Sequence, residues 1–220
     1  ELQDFINEQY FALIRNFQRH SYLLLYLLGA SPAVCGCFLM GRQHNLQSLS
    51  ASTLYQPYAT SLRMSRLGYQ NTVQRDLHVS YNHLPDYIND LTHAIHTPYA
   101  PFAELGLKKE GVYQQMNTNI LQIENEYYGL IRPKQTAQRT EKPTQALKSR
   151  GIEYIEMRCV DLNPFAPTGI NSTTAHFLEV FALHSALSES PEFSAQKYAE
   201  LDERQEQMVE RGRAPQLHIT

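Results

Sequence analysis

Residues 151–165 read GIEYIEMRCVDLNPF, and the nature of the whole 220-residue chain is most legible from this stretch. Ile152, Ile155, Met157 and Val160 give it the β-branched and apolar content of a strand, and Asn163-Pro164 ends it. Alternate side chains of a strand share a face, so Ile152, Tyr154, Glu156 and Arg158 fall together, opposite Glu153, Ile155, Met157 and Cys159. A carboxylate and a guanidinium two residues apart on one face are costly to bury unless both find partners. One such partner is a metal-bound polyphosphate, with the carboxylate on the cation and the arginine on phosphate oxygens. A simple Glu–Arg pair on a solvated face fits the same residues.

Outward from this strand the pattern is mixed α and β, without internal repeats. Leu2 to about Leu28 reads as a helix, with Phe5, Tyr10, Leu13, Ile14 and Phe17 near helical spacing and Gly29 and Pro32 as its stop. Residues 41–53 read as a polar loop, and Pro85 to His96 as a second helix with Pro98 beyond its end. Met116 to Glu126 is a strand candidate, placing Gln122, Glu124 and Glu126 on one face and Asn117, Asn119 and Asn125 on the other. Pro133 to Lys148 reads as a charged, flexible connection. Asn171-Ser172-Thr173 offers caps for a helix reaching about Leu187, and Ser194 to Arg211 is a last, highly charged helix. Strands separated by helical segments would by themselves suggest a parallel sheet.

Composition excludes some classes of function. Hydrophobic residues make up 42% of the chain and the formal charge is −3, so a core is available and no basic field for nucleic acid exists. The longest apolar run, Tyr22–Leu28, is far short of the ~20 residues a membrane span needs, and the stripe reads as core. No signal peptide is recognisable in these residues, and together with the cysteine usage a cytoplasmic location is the expectation. Cys35, Cys37 and Cys159 are an odd number and form no disulfide framework. Cys35-Gly36-Cys37 reads as adjacent buried thiols in preference to a metal or redox pair. His93 and His96 stand i, i+3 on a helix without a third ligand, which favours a solvated pair over a metal site.

Four ordered blocks carry a family resemblance. Gly151–Arg158 resembles the GIEYIEVR-like strand of proteobacterial-type glutamate–cysteine ligases. Arg15–Leu39 is similar to that family's long helix and GASPA turn, Tyr55–Asn71 to its YATSLR…LGY block, and Gln115–Lys134 to its QIENE…IRPK block. The resemblance runs from about Phe11 to Leu187 and weakens beyond. It departs in small ways: Ser149-Arg150-Gly151 stands where a Gly-Gly pair is frequent, and His and Gln replace several charged surface positions. It implies an α+β fold: an antiparallel sheet with flanking helices, part of a glutamine synthetase-like catalytic domain. Residues 1–187 would belong to that single domain and 188–220 continue it as helix. It also implies a missing N-terminal segment of the same chain, holding acidic metal ligands and part of the nucleotide site, so that this stretch alone would be inactive.

The implied activity is ligation of the glutamate γ-carboxylate to cysteine, driven by ATP and Mg2+ (or Mn2+) through a γ-glutamyl phosphate, the first step of glutathione biosynthesis. The small-molecule partners are therefore glutamate, cysteine and ATP, with no nucleic acid and no membrane. A carboxylate is a poor electrophile, so such a site must first stabilise phosphoryl transfer with cations. Glu156 is the carboxylate suited to the metal, and the planar fork of Arg158 suits the transferred phosphoryl oxygens. The resemblance assigns the same roles to both. It further implies that Arg63 receives the cysteine carboxylate and that Tyr69 and Tyr128 wall its pocket. Arg132 either reaches the site or anchors the following loop. Two other readings stay open: a sister carboxylate–amine ligase with another amine acceptor, and a non-catalytic remnant that binds a small ligand or partner.

Overall fold

A computed structural model describes residues 1–39, 41–69, 73 and 77–219. The end of the YATSLR…LGY block, Gln70 and Asn71, lies outside the described residues. The elements run helix α1 (Leu2–Leu28), strands β1 (Ala33–Cys35), β2 (Gln47–Ser48) and β3 (Thr53–Tyr55), and helices α2 (Leu84–His96) and α3 (Ala100–Leu105). Strands β4 (Lys108–Lys109), β5 (Val112–Tyr113) and β6 (Ile131–Lys134), helix α4 (Pro143–Arg150), strand β7 (Tyr154–Met157) and helices α5 (Ser172–Leu187) and α6 (Ala195–Arg211) follow. The class is α+β. The sheets are small: β1-β3-β2 and β4-β5, both antiparallel, and β6 beside β7. The β1-β3-β2 and β4-β5 pairings thus run antiparallel, not in the parallel sense that the spacing alone suggested.

The chain divides into two compact units. One comprises Glu1–Phe11 with Asn71–Glu156, the other Ala12–Gln70 with Met157–Thr220. In the first unit Phe11 meets Tyr87 edge-on, and Ile88, Leu91, Leu121, Ile131, Leu147 and Ile152 complete a buried core. The opening turns of α1 fix the lead into β7. Asn7 Oδ1 accepts from the Ile152 amide at 2.8 Å, Gln3 Nε2 donates to the Ile152 carbonyl at 3.2 Å, and the Tyr10 hydroxyl donates to the Glu153 carbonyl at 2.8 Å. This approach is possible because Gly151 precedes the segment. Its φ of +74° suits glycine, and a Cβ there would fall on the Gln3 and Asn7 side chains.

In the second unit Phe17 meets Phe181 edge-on at 5.3 Å, and Ile14, Leu24, Leu25, Met208 and Val209 are buried around them. Two buried polar residues of α1 have a structural use: the last carbonyls of a helix lack internal partners. Asn16 Nδ2 donates to the carbonyls of Ser185 (2.9 Å) and Ser188 (3.0 Å) at the end of α5, and Arg15 reaches Ser190. At its start, α5 is capped by Asn171, whose Oδ1 accepts from the Thr174 amide at 2.8 Å, as the sequence indicates. Asn171→Ala should cost about 1 kcal/mol of stability, measured by chemical denaturation against Asn171→Asp as the retained cap.

Several expectations change. Met116–Glu126 is not a strand but a loop ending in a 3₁₀ turn at Glu124–Glu126, held by its own amides. Asn117 Nδ2 donates to the Gln122 carbonyl (2.7 Å), Gln122 Oε1 accepts from the Met116 amide (2.8 Å), and Glu126 accepts from the Gln122 amide (2.7 Å). Asn, Gln and Glu side chains compete with ladder pairing in this way. The supposed flexible connection 133–148 runs into α4, which is started by Pro143 and closed by Gly151. Only Leu24 and Leu25 of the Leu-rich stripe are buried, whereas Leu23, Tyr26 and Leu27 are exposed. Cys35 and Cys37 are exposed, not buried. His93 and His96 bond to Thr97 and to the Thr92 carbonyl, near the end of α2, as a local pair.

Candidate functional site

In the first unit three charged groups converge at β6 and β7. Arg132 and Lys134 are two residues apart on β6 and therefore share a side. Lys134 Nζ lies 3.3 Å from Glu156 Oε2. Arg132 is 3% exposed, and its Nε makes no hydrogen bond. Burial disfavours its charge, but Tyr87, Tyr81 and Glu156 around it outweigh that and hold its pKa above the ordinary arginine value. Arg132, Lys134, Gln135, Thr136, Tyr87 and Tyr154 line a cavity of about 300 Å³. A fixed cation with an unsatisfied buried donor, beside a second cation and a carboxylate, is suited to an anionic oxygen-rich ligand.

The acid of the QIENE run serves a different purpose. Glu124 is buried, and its carboxylate accepts from the Thr144 amide and the Thr144 hydroxyl, both at 2.7 Å. It thereby caps α4 and satisfies donors at that helix's N-terminus. Arg132 Nη2 approaches the Glu124 carbonyl at 3.4 Å, so Arg132 also steadies this loop. Tyr128 is half-buried in the same unit.

In the second unit Arg63 does not project freely. Its Nε donates to Asp161 Oδ1 at 2.6 Å, Nη1 to the Arg158 carbonyl at 3.0 Å and Nη2 to the Val160 carbonyl at 3.0 Å. Asp161 is itself a hub: Oδ2 accepts from the Ala30 amide (2.9 Å) and the Ser31 hydroxyl (2.7 Å) in the GASPA turn. Gly68 closes the turn after Arg63, where a Cβ would fall on the Arg63 carbonyl. Tyr69 is exposed, and its ring meets Phe38 edge-on at 5.9 Å. Arg158 is half-buried just past the end of β7, so the strand is shorter than the 151–165 run suggests. Cys159 beside it is buried, which pushes its thiol up to about 12.

The structure thus places Glu156 with Arg132 and Lys134, and Arg63 with the backbone of Arg158 and Val160. Lys134, Asp161 and Thr144 were missed by sequence reasoning. Strand periodicity from Arg132 would have found Lys134. Asp161, an acid in an otherwise apolar run, carries the signal of a buried partnered carboxylate. Among the described residues no group of three or more His, Cys, Asp or Glu stands ready to hold a metal. No helix is long and apolar enough to cross a membrane among the described residues.

A family profile described as glutamate-cysteine ligase matches residues 1–208. Glutamate–cysteine ligase of Azotobacter vinelandii is 51% identical over 218 residues, covering 99% of this chain and 41% of that protein. The Alcanivorax borkumensis glutamate–cysteine ligase is 55% identical over 196 residues, covering 87% and 37%. A crystal structure of glutamate–cysteine ligase from Francisella tularensis in complex with AMP superposes with a TM-score of 0.91 at 38% identity, over 98% of this chain and 43% of that one. A bifunctional glutathione synthetase from Pasteurella multocida gives a TM-score of 0.65 at 26% identity, over 95% and 22%. The chain spans about two fifths of the length of the curated relatives it matches.

Proposed function

As the chain belongs to the glutamate–cysteine ligase family, we propose that it forms part of an enzyme joining the γ-carboxylate of glutamate to cysteine at the expense of ATP. The observation that carries this reading furthest is Arg132, buried with an unsatisfied Nε beside the Lys134–Glu156 pair. Two fixed cations beside a carboxylate suit the polyphosphate end of a nucleotide. The relative solved with AMP makes a nucleotide the natural ligand class.

The chemistry has two steps. A γ-carboxylate oxygen of glutamate attacks the terminal phosphorus of ATP, the bond to the bridging oxygen breaks, and ADP leaves. The cysteine amine then attacks the acyl carbon, inorganic phosphate leaves, and the amide nitrogen loses its proton. A bound magnesium or manganese ion would supply charge neutralisation at the phosphates. Glu156 fits as one of its oxygen ligands, the rest coming from phosphate oxygens, water and parts of the protein beyond this stretch. Lys134 orients the Glu156 carboxylate. Arg158 neutralises the transferred phosphoryl group, and Arg132 fixes the polyphosphate from its buried position.

For the acceptor, Arg63 takes the cysteine carboxylate, with Tyr69 and Tyr128 as walls. The anchoring of Arg63 on Asp161 gives this role a fixed geometry. Arg63→Ala should raise the KM for cysteine more than that for glutamate, by about 10-fold or more. Equal effects on both substrates would leave Arg63 only its structural bonds. Glu156→Ala should weaken metal-dependent nucleotide binding on the order of 10–100-fold, read by titration with and without magnesium. Both units are read as parts of one catalytic domain, working in the cytoplasm.

The test is ADP release by the full-length protein with ATP and magnesium, titrating glutamate and cysteine separately and together. Release that requires glutamate and rises with cysteine supports the ligase. Release that ignores cysteine moves the protein to a sister carboxylate–amine ligase, and no release under any pairing favours a non-catalytic remnant.

A further inference from the structure

Cys35 and Cys37 are the groups whose arrangement the ligation chemistry does not use. Both are exposed, and their Sγ atoms stand 2.7 Å apart, with only Gly36 between them in the chain. Cys35 closes β1, where it pairs with Thr53 of β3, and Cys37 lies within a 3₁₀ turn, Gly36–Leu39. The Gly36 amide donates to the Ser52 carbonyl at 2.8 Å, so the backbone holding the pair is anchored. Two accessible thiols held this close need little movement to bond.

We propose that Cys35 and Cys37 form a reversible dithiol–disulfide couple that exchanges with small-molecule disulfides and signals to the loop carrying Tyr69. The Cys35 thiolate attacks one sulfur of the small disulfide, whose S–S bond breaks and releases one thiolate. The Cys37 thiolate then attacks Cys35 Sγ, expelling the second, and both released thiolates take up protons. The cysteine pair is oxidised and the small disulfide reduced to two thiols. Cys35 suits the attacking role: the bond from Cys37, with backbone amides of Cys37 and Phe38, lowers its pKa while that of Cys37 is raised.

The signal has a physical route within the same unit. Phe38 follows Cys37 directly and packs edge-on against Tyr69 at 5.9 Å. The Arg42 guanidinium lies over the Phe38 ring at 5.6 Å, and its Nη1 donates to the carbonyls of Leu67 (2.8 Å) and Gly68 (3.0 Å). A bond between the two sulfurs redirects the 3₁₀ turn and with it the Phe38–Arg42 clasp on residues 67–69. The buried Cys159 stays reduced and serves as an internal control.

The experiment equilibrates the full-length protein in glutathione–glutathione disulfide mixtures, quenches with acid and alkylates. The tryptic peptide from His20 to Arg42 contains both thiols. The couple predicts that this peptide loses two hydrogens as the mixture becomes oxidising, regains them with dithiothreitol, and in Cys35→Ser carries a persistent glutathione adduct on Cys37. Hydrogen exchange over residues 62–69 should change on oxidation of the native protein and not of Cys35→Ser. Independent glutathione adducts on both native cysteines, or thiols that stay free in every mixture, would overturn the couple. Disulfide formation with unchanged exchange over 62–69 would overturn the signal. Neither readout depends on ligase activity.

Discussion

Arg158→Ala is expected to lower the turnover of the full-length protein on the order of 10²–10³-fold while changing nucleotide affinity much less. The reason is that charge builds on the transferring phosphoryl group only as the reaction proceeds. A cation aimed there stabilises the transition state more than the bound nucleotide, and loss of one such donor has about this effect. Arg158→Lys should recover part of the loss, since a point charge replaces the planar two-pronged donor. Steady-state kinetics with a separate nucleotide titration checks both. A fall in affinity equal to the fall in turnover would assign Arg158 to uniform binding, and unchanged kinetics would remove it from the site.

Asp161→Ala should destabilise the protein by about 3 kcal/mol. Asp161 is buried, its side chain 3% exposed, and it meets Arg63 at 2.6 Å while accepting from Ala30 and Ser31. Its removal takes a shared acceptor from the Arg63 Nε, the Ala30 amide and the Ser31 hydroxyl. Arg63 retains 24% exposure, so water offsets part of the loss and the lower end of the range for broken buried pairs applies. Asp161→Asn preserves the shape and the acceptor oxygen and should recover about half. Denaturant unfolding measures the difference. A change below about 0.5 kcal/mol for Asp161→Ala, the size typical of surface substitutions, would mean that the hub holds nothing together.

The sequence was most readable where a local rule had no competitor. α1 and α2 follow from apolar spacing and from Gly and Pro stops, α5 from the Asn171 cap, and α6 forms over the charged 194–211 run, where the structure adds Ser194 as its cap. The α+β class came from the family resemblance, because the strands are only two to four residues long and cannot show convincing alternation. The loop from Met116 to Glu126 was misread because its polar side chains alternate as a strand's would, yet they spend their hydrogen bonds on neighbouring backbone. Helix α4 was hidden by a polar, low-amphipathicity sequence whose start depends on Glu124, nineteen positions before Pro143 and remote in the chain.

The site was partly legible. Glu156 stood out as an acid on an apolar strand, and the structure adds Lys134 as its neighbour at 3.3 Å. Arg63 was assigned by resemblance to a substrate carboxylate, whereas in the structure it donates to Asp161 and to the carbonyls of Arg158 and Val160. No spacing rule links positions 63 and 161, so that network is visible only in the fold. The exposure of Cys35 and Cys37 was likewise hidden, because Ala33, Val34 and Phe38 around them look like core.

The claim that ATP activates a side-chain carboxylate as an acyl phosphate has one direct measurement. The full-length protein is given ATP, magnesium, cysteine and glutamate whose γ-carboxylate carries oxygen-18, and the released inorganic phosphate is analysed by mass. Transfer of one labelled oxygen to each phosphate is the predicted result, since the attacking carboxylate oxygen leaves with phosphorus when the amide forms. Unlabelled phosphate alongside amide formation would contradict it, because the carboxylate would not have been phosphorylated.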